Sequence, residues 1–187
     1  MTRIIGGIAG SRKLASPAKA TRPTSDRIRE SIFSRLESRD LISGAKVLDL
    51  YAGTGALALE AISRGAASAY LVERDGKAAA VCVANARLVQ KSLADEDVEA
   101  EIKVVNKAVT SFLASNTLEF DLVFIDPPYE INNEEVATNL EGLLLSKDAT
   151  VVVERSSRTD APTWPAGYQL EDTKDYGDTV VYWLVKN

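Results

Sequence analysis

The sequence predicts an α/β domain on a seven-stranded, mostly parallel sheet. Three observations carry that reading. Short apolar runs alternate with helix-like segments from Lys46 onward. The last two apolar runs, Tyr168 to Asp175 and Thr179 to Lys186, have no helix between them. The 187 residues, 45% hydrophobic and 26% charged, suffice for one globular core. Alternation implies parallel strands joined by right-handed crossovers, with helices covering both faces. The closing pair, joined at Tyr176-Gly177-Asp178, implies an antiparallel hairpin on the sheet edge.

In chain order, Thr24 and Ser25 offer N-caps, and Ile28, Ile32, Phe33 and Leu36 recur at helical spacing through about Arg39. Strands are expected near Lys46 to Tyr51, Ser68 to Glu73, Glu101 to Val105, Phe120 to Ile125 and Ala149 to Glu154. Helices are expected near Ala56 to Arg64, Gly76 to Lys91, Val109 to Ser115 and Asn133 to Leu144. There is no internal repeat and no low-complexity linker. Residues 1–40 read as a basic N-terminal arm with an amphipathic helix, and residues 41–187 as the main domain.

Two absences exclude whole chemistries. With no histidine, no Ser-His-Asp triad, Cys-His pair, HExxH metal helix or C2H2 finger exists here. A single cysteine, Cys82, rules out an internal disulfide and any CxxC redox or zinc site; its helix-like surroundings suit plain packing. No apolar run reaches the ~18 residues of a membrane span. The stretch from Ile4 to Ala9 is glycine-rich and runs into Arg12 and Lys13, a poor signal peptide, so cytoplasm is the expected compartment. Chemistry must come from carboxylates, amides, aromatics or a cofactor.

The net charge of -5 argues against a nonspecific nucleic-acid coat. Residues 1–29 differ. Arg3, Arg12, Lys13, Lys19, Arg22, Arg27 and Arg29 face one acid, Asp26, a local +6 against -11 for the other 158 residues. A domain this long has a radius of gyration of roughly 16 Å. That exceeds the ~8–10 Å screening length at cellular salt, so a basic face acts independently of a distant acidic one. A solvated tail and a polyanion-binding arm both fit.

Two motifs carry chemistry. The run Val47 to Leu57, with Asp49, Ala52, Gly53, Thr54 and Gly55, reads as strand, glycine turn and helix. Its glycines allow a sharp turn and close backbone approach, and the helix N-terminus presents N–H groups. Glu73 ends the next strand, where a carboxylate can accept from both ribose hydroxyls. Gly53, Gly55 and Ala58 also satisfy the loose dinucleotide pattern G-x-G-x-x-A. Asp49 discriminates: it sits badly beside a pyrophosphate but suits a ligand with a positive amino group, such as S-adenosylmethionine. A turn-capping carboxylate is the plainer role for Asp49.

The second motif is Asp126-Pro127-Pro128-Tyr129, directly after the buried strand Phe120 to Ile125. The prolines remove donors and stiffen the turn, leaving carbonyls to accept, and Tyr129 offers a stacking platform. Acceptors aimed at an exocyclic base amine favour the tetrahedral geometry in which its lone pair attacks a methyl sulfonium. Guanine presents adjacent N1–H and N2 donors, which one carboxylate can take together. Stacking on Tyr129, worth ~1–3 kcal/mol, is comparable with the cost of extruding a base.

With these motifs in view, the chain resembles the RsmD-type methyltransferases, which use S-adenosylmethionine to methylate N2 of one guanine in bacterial 16S rRNA. The resemblance includes Arg3-Ile4-Ile5-Gly6-Gly7, Arg12-Lys13-Leu14, Arg22-Pro23-Thr24-Ser25-Asp26-Arg27-Ile28-Arg29-Glu30, the glycine cradle, Asp-Pro-Pro-Tyr and Tyr176-Gly177-Asp178-Thr179. It implies a Rossmann-like class I S-adenosylmethionine-dependent methyltransferase fold. It further implies Asp49, Gly53 and Gly55 at the methionine end of the cofactor, Glu73 on its ribose and Arg74 beside its adenine. Asp126 to Tyr129 would hold the guanine. Arg3, Arg12, Lys13, Arg22 and Arg27 would grip rRNA, within a small-subunit particle. Separately from the resemblance, a self-sufficient core makes a monomer the expected state. At Ala108 members often carry Asn or Asp to bond the adenine amine; here backbone or Asn106 would serve. An adenine-N6 or glutamine-amide methyltransferase, an NAD-binding oxidoreductase and a silent RNA-binding module remain open alternatives.

Overall fold

The computed structural model describes residues 1–18 and 24–187. Five parallel strands form the body of the sheet: β1 (Lys46–Leu50), β2 (Ser68–Val72), β3 (Glu101–Val105), β4 (Phe120–Ile125) and β5 (Leu145–Ser156). The hairpin of β6 (Tyr168–Asp175) and β7 (Thr179–Lys186) completes the order β3-β2-β1-β4-β5-β7-β6. β7 lies antiparallel to both neighbours, and Tyr176 N–H closes the turn on the Thr179 carbonyl at 2.8 Å. The order reverses between β1 and β4, so their carboxyl ends splay apart and open a crevice.

Helices α1 (Asp26–Ser38), α2 (Ala56–Ser63) and α3 (Gly76–Ala94) cover one face, packing Phe33, Leu59 and Cys82 against Val47, Leu71 and Phe124. Helices α4 (Val109–Ser115) and α5 (Asn133–Gly142) cover the other, packing Phe112 and Val136 with Leu50, Val123 and Val153. Alternate residues of each central strand feed opposite cores, which is why these strands read as continuous apolar runs. Cys82 is fully buried in the first core, and burial pushes its thiol pKa up. No helix among the described residues is long and apolar enough to cross a membrane.

The structure departs from the sequence reading at element ends. β5 begins at Leu145 rather than Ala149, because Phe120 N–H takes the Leu144 carbonyl and β4 pairs early before the register shifts. Only Ser25 caps α1, accepting Ile28 N–H at 3.2 Å; Thr24 points elsewhere.

The first eighteen residues are not a loose tail. Ile4 N–H bonds the Arg12 carbonyl and Leu14 N–H the Thr2 carbonyl, so the chain doubles back with Arg3 opposite Lys13. Ile4, Ala9 and Leu14 enter the same core as α1 and α2. Glu60, fully buried on α2, anchors this flap by accepting Ile5 N–H and Gly6 N–H, each at 2.8 Å, and the Arg64 guanidinium. Gly7 has φ +76°, and a Cβ there would lie 2.0 Å from the Ser63 carbonyl oxygen. Arg29, counted with the basic run, is fully buried and bonds the Arg3 carbonyl and Asp26, so it serves the core and not the surface.

Candidate active site

The carboxyl ends of β1, β2, β4 and β5 open into one cavity of about 1060 Å³. That is about the upper limit of the roughly 300–1,000 Å³ typical of a small-ligand site. Strand register explains its lining. Asp49 pairs with Phe124, and Phe124 with Val152, so all three point to one face. Two residues further along, the same pleat carries Asp126 and Glu154. Three carboxylates therefore face one space, and Glu73 adds a fourth from the end of β2.

The cradle is built by three left-handed residues, Tyr51 (φ 64°), Gly53 (φ 56°) and Gly55 (φ 81°). Tyr51 is the non-glycine member of the three, and such strain is characteristic of ligand-binding turns. Its hydroxyl is held by the Asn139 side-chain amide at 2.6 Å. Gly53 lines the cavity beside Ala52 and Thr54. Gly55 does not; a Cβ there would meet Leu71 at 2.8 Å and Cys82 at 2.9 Å, so its lack of a side chain lets α2 seat against the core.

Asp49 has the capping contact and also a place on the cavity wall. Its carboxylate accepts Ala58 N–H in the first turn of α2 at 3.2 Å, and it also lines the cavity. Burial, with Asp126 and Glu73 nearby, raises its pKa from 3.8 to about 8. Glu73 is oriented by Gly53 N–H on one oxygen and Asp75 N–H on the other, each at 2.9 Å, with its carboxylate turned into the cavity.

Arg74 is largely exposed at the rim, its guanidinium 3.9 Å from Glu130 across the mouth. Asn106 and Ala108 lie outside the lining. The Asn106 amide donates to the Glu73 and Arg74 carbonyls at 2.8 and 3.0 Å, bracing the loop that carries Glu73. Ala108 is the N-cap of α4, and its neighbour Val109 takes the place on the wall.

Asp126, Pro127, Pro128 and Tyr129 all reach the cavity, with Tyr129 73% exposed and available to a flat ring. The Pro128 carbonyl accepts Ile131 N–H at 3.1 Å, so this one of the expected acceptors closes the turn instead. Arg155 steadies the loop from beneath, donating to the Ile131 carbonyl and Asn133. Burial raises the Asp126 pKa from 3.8 to about 6 despite the Thr24 hydroxyl and Arg155, which pull it down.

Of the basic residues, Arg27 is exposed on the cavity rim. Arg3, Arg12 and Lys13 are exposed on the doubled-back flap, away from the cavity lining. Arg22 lies outside the described residues.

Sequence reasoning missed three contributors. Thr24 hydroxyl stands 2.8 Å from Asp126 and 3.1 Å from Glu154. Glu154 itself could have been found as a carboxylate ending a valine-rich strand. Asn85, 2% exposed, bonds Ala15 on the flap and the Thr54 carbonyl on the cradle, tying the two together; nothing in its helical context signalled that.

Comparison with known proteins gives the family and the fold. A family profile described as "Conserved hypothetical protein 95" matches residues 2–185. Ribosomal RNA small subunit methyltransferase D of Escherichia coli K12 is 37% identical over 178 residues, covering 94% of this chain and 85% of that one. The chain belongs to the RsmD family. A hypothetical protein of Thermus thermophilus superposes on this RsmD-family chain with a TM-score of 0.82 at 28% identity, covering 100% of both. Magnesium protoporphyrin IX methyltransferase from Synechocystis PCC 6803, solved with bound SAM, shares the fold at TM-score 0.63 and 13% identity over 89% of this chain and 87% of its own. The RsmD-family fold is thus that of the class I S-adenosylmethionine-dependent methyltransferases.

Proposed function

We propose that this protein transfers a methyl group from S-adenosylmethionine to the exocyclic N2 amine of a guanine in 16S rRNA. It would do so as a cytoplasmic monomer working on a small-subunit particle. The single observation that carries the reading is the convergence of Asp49, Glu73, Asp126 and Glu154 on one cavity. At the glycine cradle the nearest acids are Asp49 and Glu73, which sit badly beside a pyrophosphate and suit a cationic or amine-bearing ligand, and this disfavours the dinucleotide alternative.

S-adenosylmethionine fits the residues present. Asp49 is a buried carboxyl awaiting a positive partner for an amino group, and the fixed Glu73 carboxylate suits a ribose diol. When bound, the cofactor supplies a methyl group on a sulfonium, a good leaving centre. The chain's own task is then to orient the amine. Asp126 accepts from the base edge, Tyr129 stacks on the ring, and Pro127 and Pro128 offer no competing N–H. Little proton transfer is demanded, consistent with a chain lacking histidine.

Residues 1–40 supply the RNA-contacting extension, with Arg3, Arg12, Lys13, Arg22 and Arg27 toward the phosphates. Two experiments test this reading. Titration calorimetry should detect S-adenosylhomocysteine and not NADH; binding of NADH in its place would overturn the cofactor assignment. Replacing Arg12, Lys13 and Arg27 with glutamine should weaken RNA binding and flatten log K against log salt by about 2, at ~0.7 per single-strand phosphate contact. An unchanged slope would remove this basic surface from substrate binding.

A further inference from the structure

Thr24 has one hydroxyl hydrogen, yet its oxygen lies 2.8 Å from Asp126 Oδ2 and 3.1 Å from Glu154 Oε2. It cannot donate to both. The second contact is a hydrogen bond only if one carboxyl carries a proton and donates it to the Thr24 oxygen. Glu154 is the deeper of the two, 4% exposed on β5, and its other oxygen, Oε1, is buried without a hydrogen-bond partner among the described residues. An ionised carboxylate with an oxygen so placed would be costly; a neutral acid is far less so.

We propose that Glu154 is a positioning residue for methyl transfer: as a neutral acid it donates to Thr24, turning that hydroxyl onto Asp126 and leaving Asp126 the charged acceptor for the target amine. The chain of bonds runs Glu154 O–H to Thr24 O–H to Asp126, with one proton serving two carboxyls. Charges facing Glu154 agree. Asp126 from β4 and Asp49 from β1 raise its pKa beyond what burial does, while Arg29 from α1 and the Thr24 hydroxyl only partly oppose them. Asp126, by contrast, has Arg155 holding it down, so the proton resides on Glu154. The inference rests on Asp126 holding the amine and adds the group that sets its charge and aim.

The test combines rates with a spectroscopic reading of the proton. E154A and T24V should each lower kcat about 10- to 100-fold, the range for one lost hydrogen bond to a charged group, with cofactor affinity little changed. E154Q, which keeps a donor toward Thr24, should restore most of the rate lost in E154A. It should also lack the alkaline decline that wild type shows as Glu154 ionises. Infrared difference spectra near neutral pH should show two protonated-acid C=O bands, one from Asp49 that is lost in D49N and one that disappears in E154Q but survives in D126N and D49N. A band that maps to Asp126, or a wild-type rate and pH profile in E154A, would overturn the proposal. Failure of the underlying Asp126 reading shows separately, as methyl transfer that survives D126A.

Discussion

Replacing Asp126 with alanine is expected to cut methyl transfer at least 100-fold while changing S-adenosylhomocysteine affinity by no more than about twofold, the scale for removing one positioned charged partner of the reacting group. The division follows from strand ends. Asp126 closes β4 beside Thr24 and the Pro-Pro turn, whereas Asp49, Glu73 and the left-handed cradle belong to β1 and β2. The substitution should not destabilise the fold at alkaline pH, because burial holds the Asp126 pKa near 6 and its ionisation opposes folding. Single-turnover rates set against calorimetric affinity measure the split. Equal losses of binding and rate would mean that the cavity is one undivided site.

Asp49→Asn should stabilise the ligand-free protein and weaken cofactor binding at once. The folded pKa of about 8 exceeds the reference value of 3.8, so between those values the folded state holds a proton that the unfolded state has released. Stability is therefore fully present below about pH 4 and falls as pH rises towards 8, by an amount on the order of a few kcal/mol. Asparagine keeps an acceptor for Ala58 N–H and removes that loss. At about 2–4 °C per kcal/mol, the variant should melt several degrees higher than wild type at pH 8 and nearer to it at pH 4. Binding a cationic amino group should pull the Asp49 proton off. Calorimetry at pH 7 in buffers of different ionisation enthalpy should then show proton release in wild type and less in the variant. A variant that melts lower at pH 8 with unchanged affinity would reduce Asp49 to a helix cap.

Strand positions at the centre of the sheet were legible because apolar runs and glycine turns are local signals; their order was not. Asp49, Gly53, Glu73 and Asp126 were legible as neighbours of one cavity because each lies within three residues of the carboxyl end of a strand. What sequence spacing could not carry was long-range geometry. Gly55 looks like a ligand-approach glycine but relieves a clash with Leu71 and Cys82 sixteen and twenty-seven residues away. Arg29 looks like one more cation in a basic arm until the fold buries it beside Glu60. Thr24 looks like a helix cap, and only the pairing of β4 with β5 sets it between two carboxyls. Such roles depend on partners from sixteen to 130 residues distant, on other elements of the fold, which periodicity does not register.

The measurement closest to the central claim is methyl transfer from radiolabelled S-adenosylmethionine to undermethylated small-subunit particles, followed by digestion of the rRNA to nucleosides. The carboxyls ending the central strands and the acceptor at Asp126 predict label in N2-methylguanosine, cut at least 100-fold in D126A. Label in N6-methyladenosine, or RNA binding with no label while the cofactor binds, would contradict it.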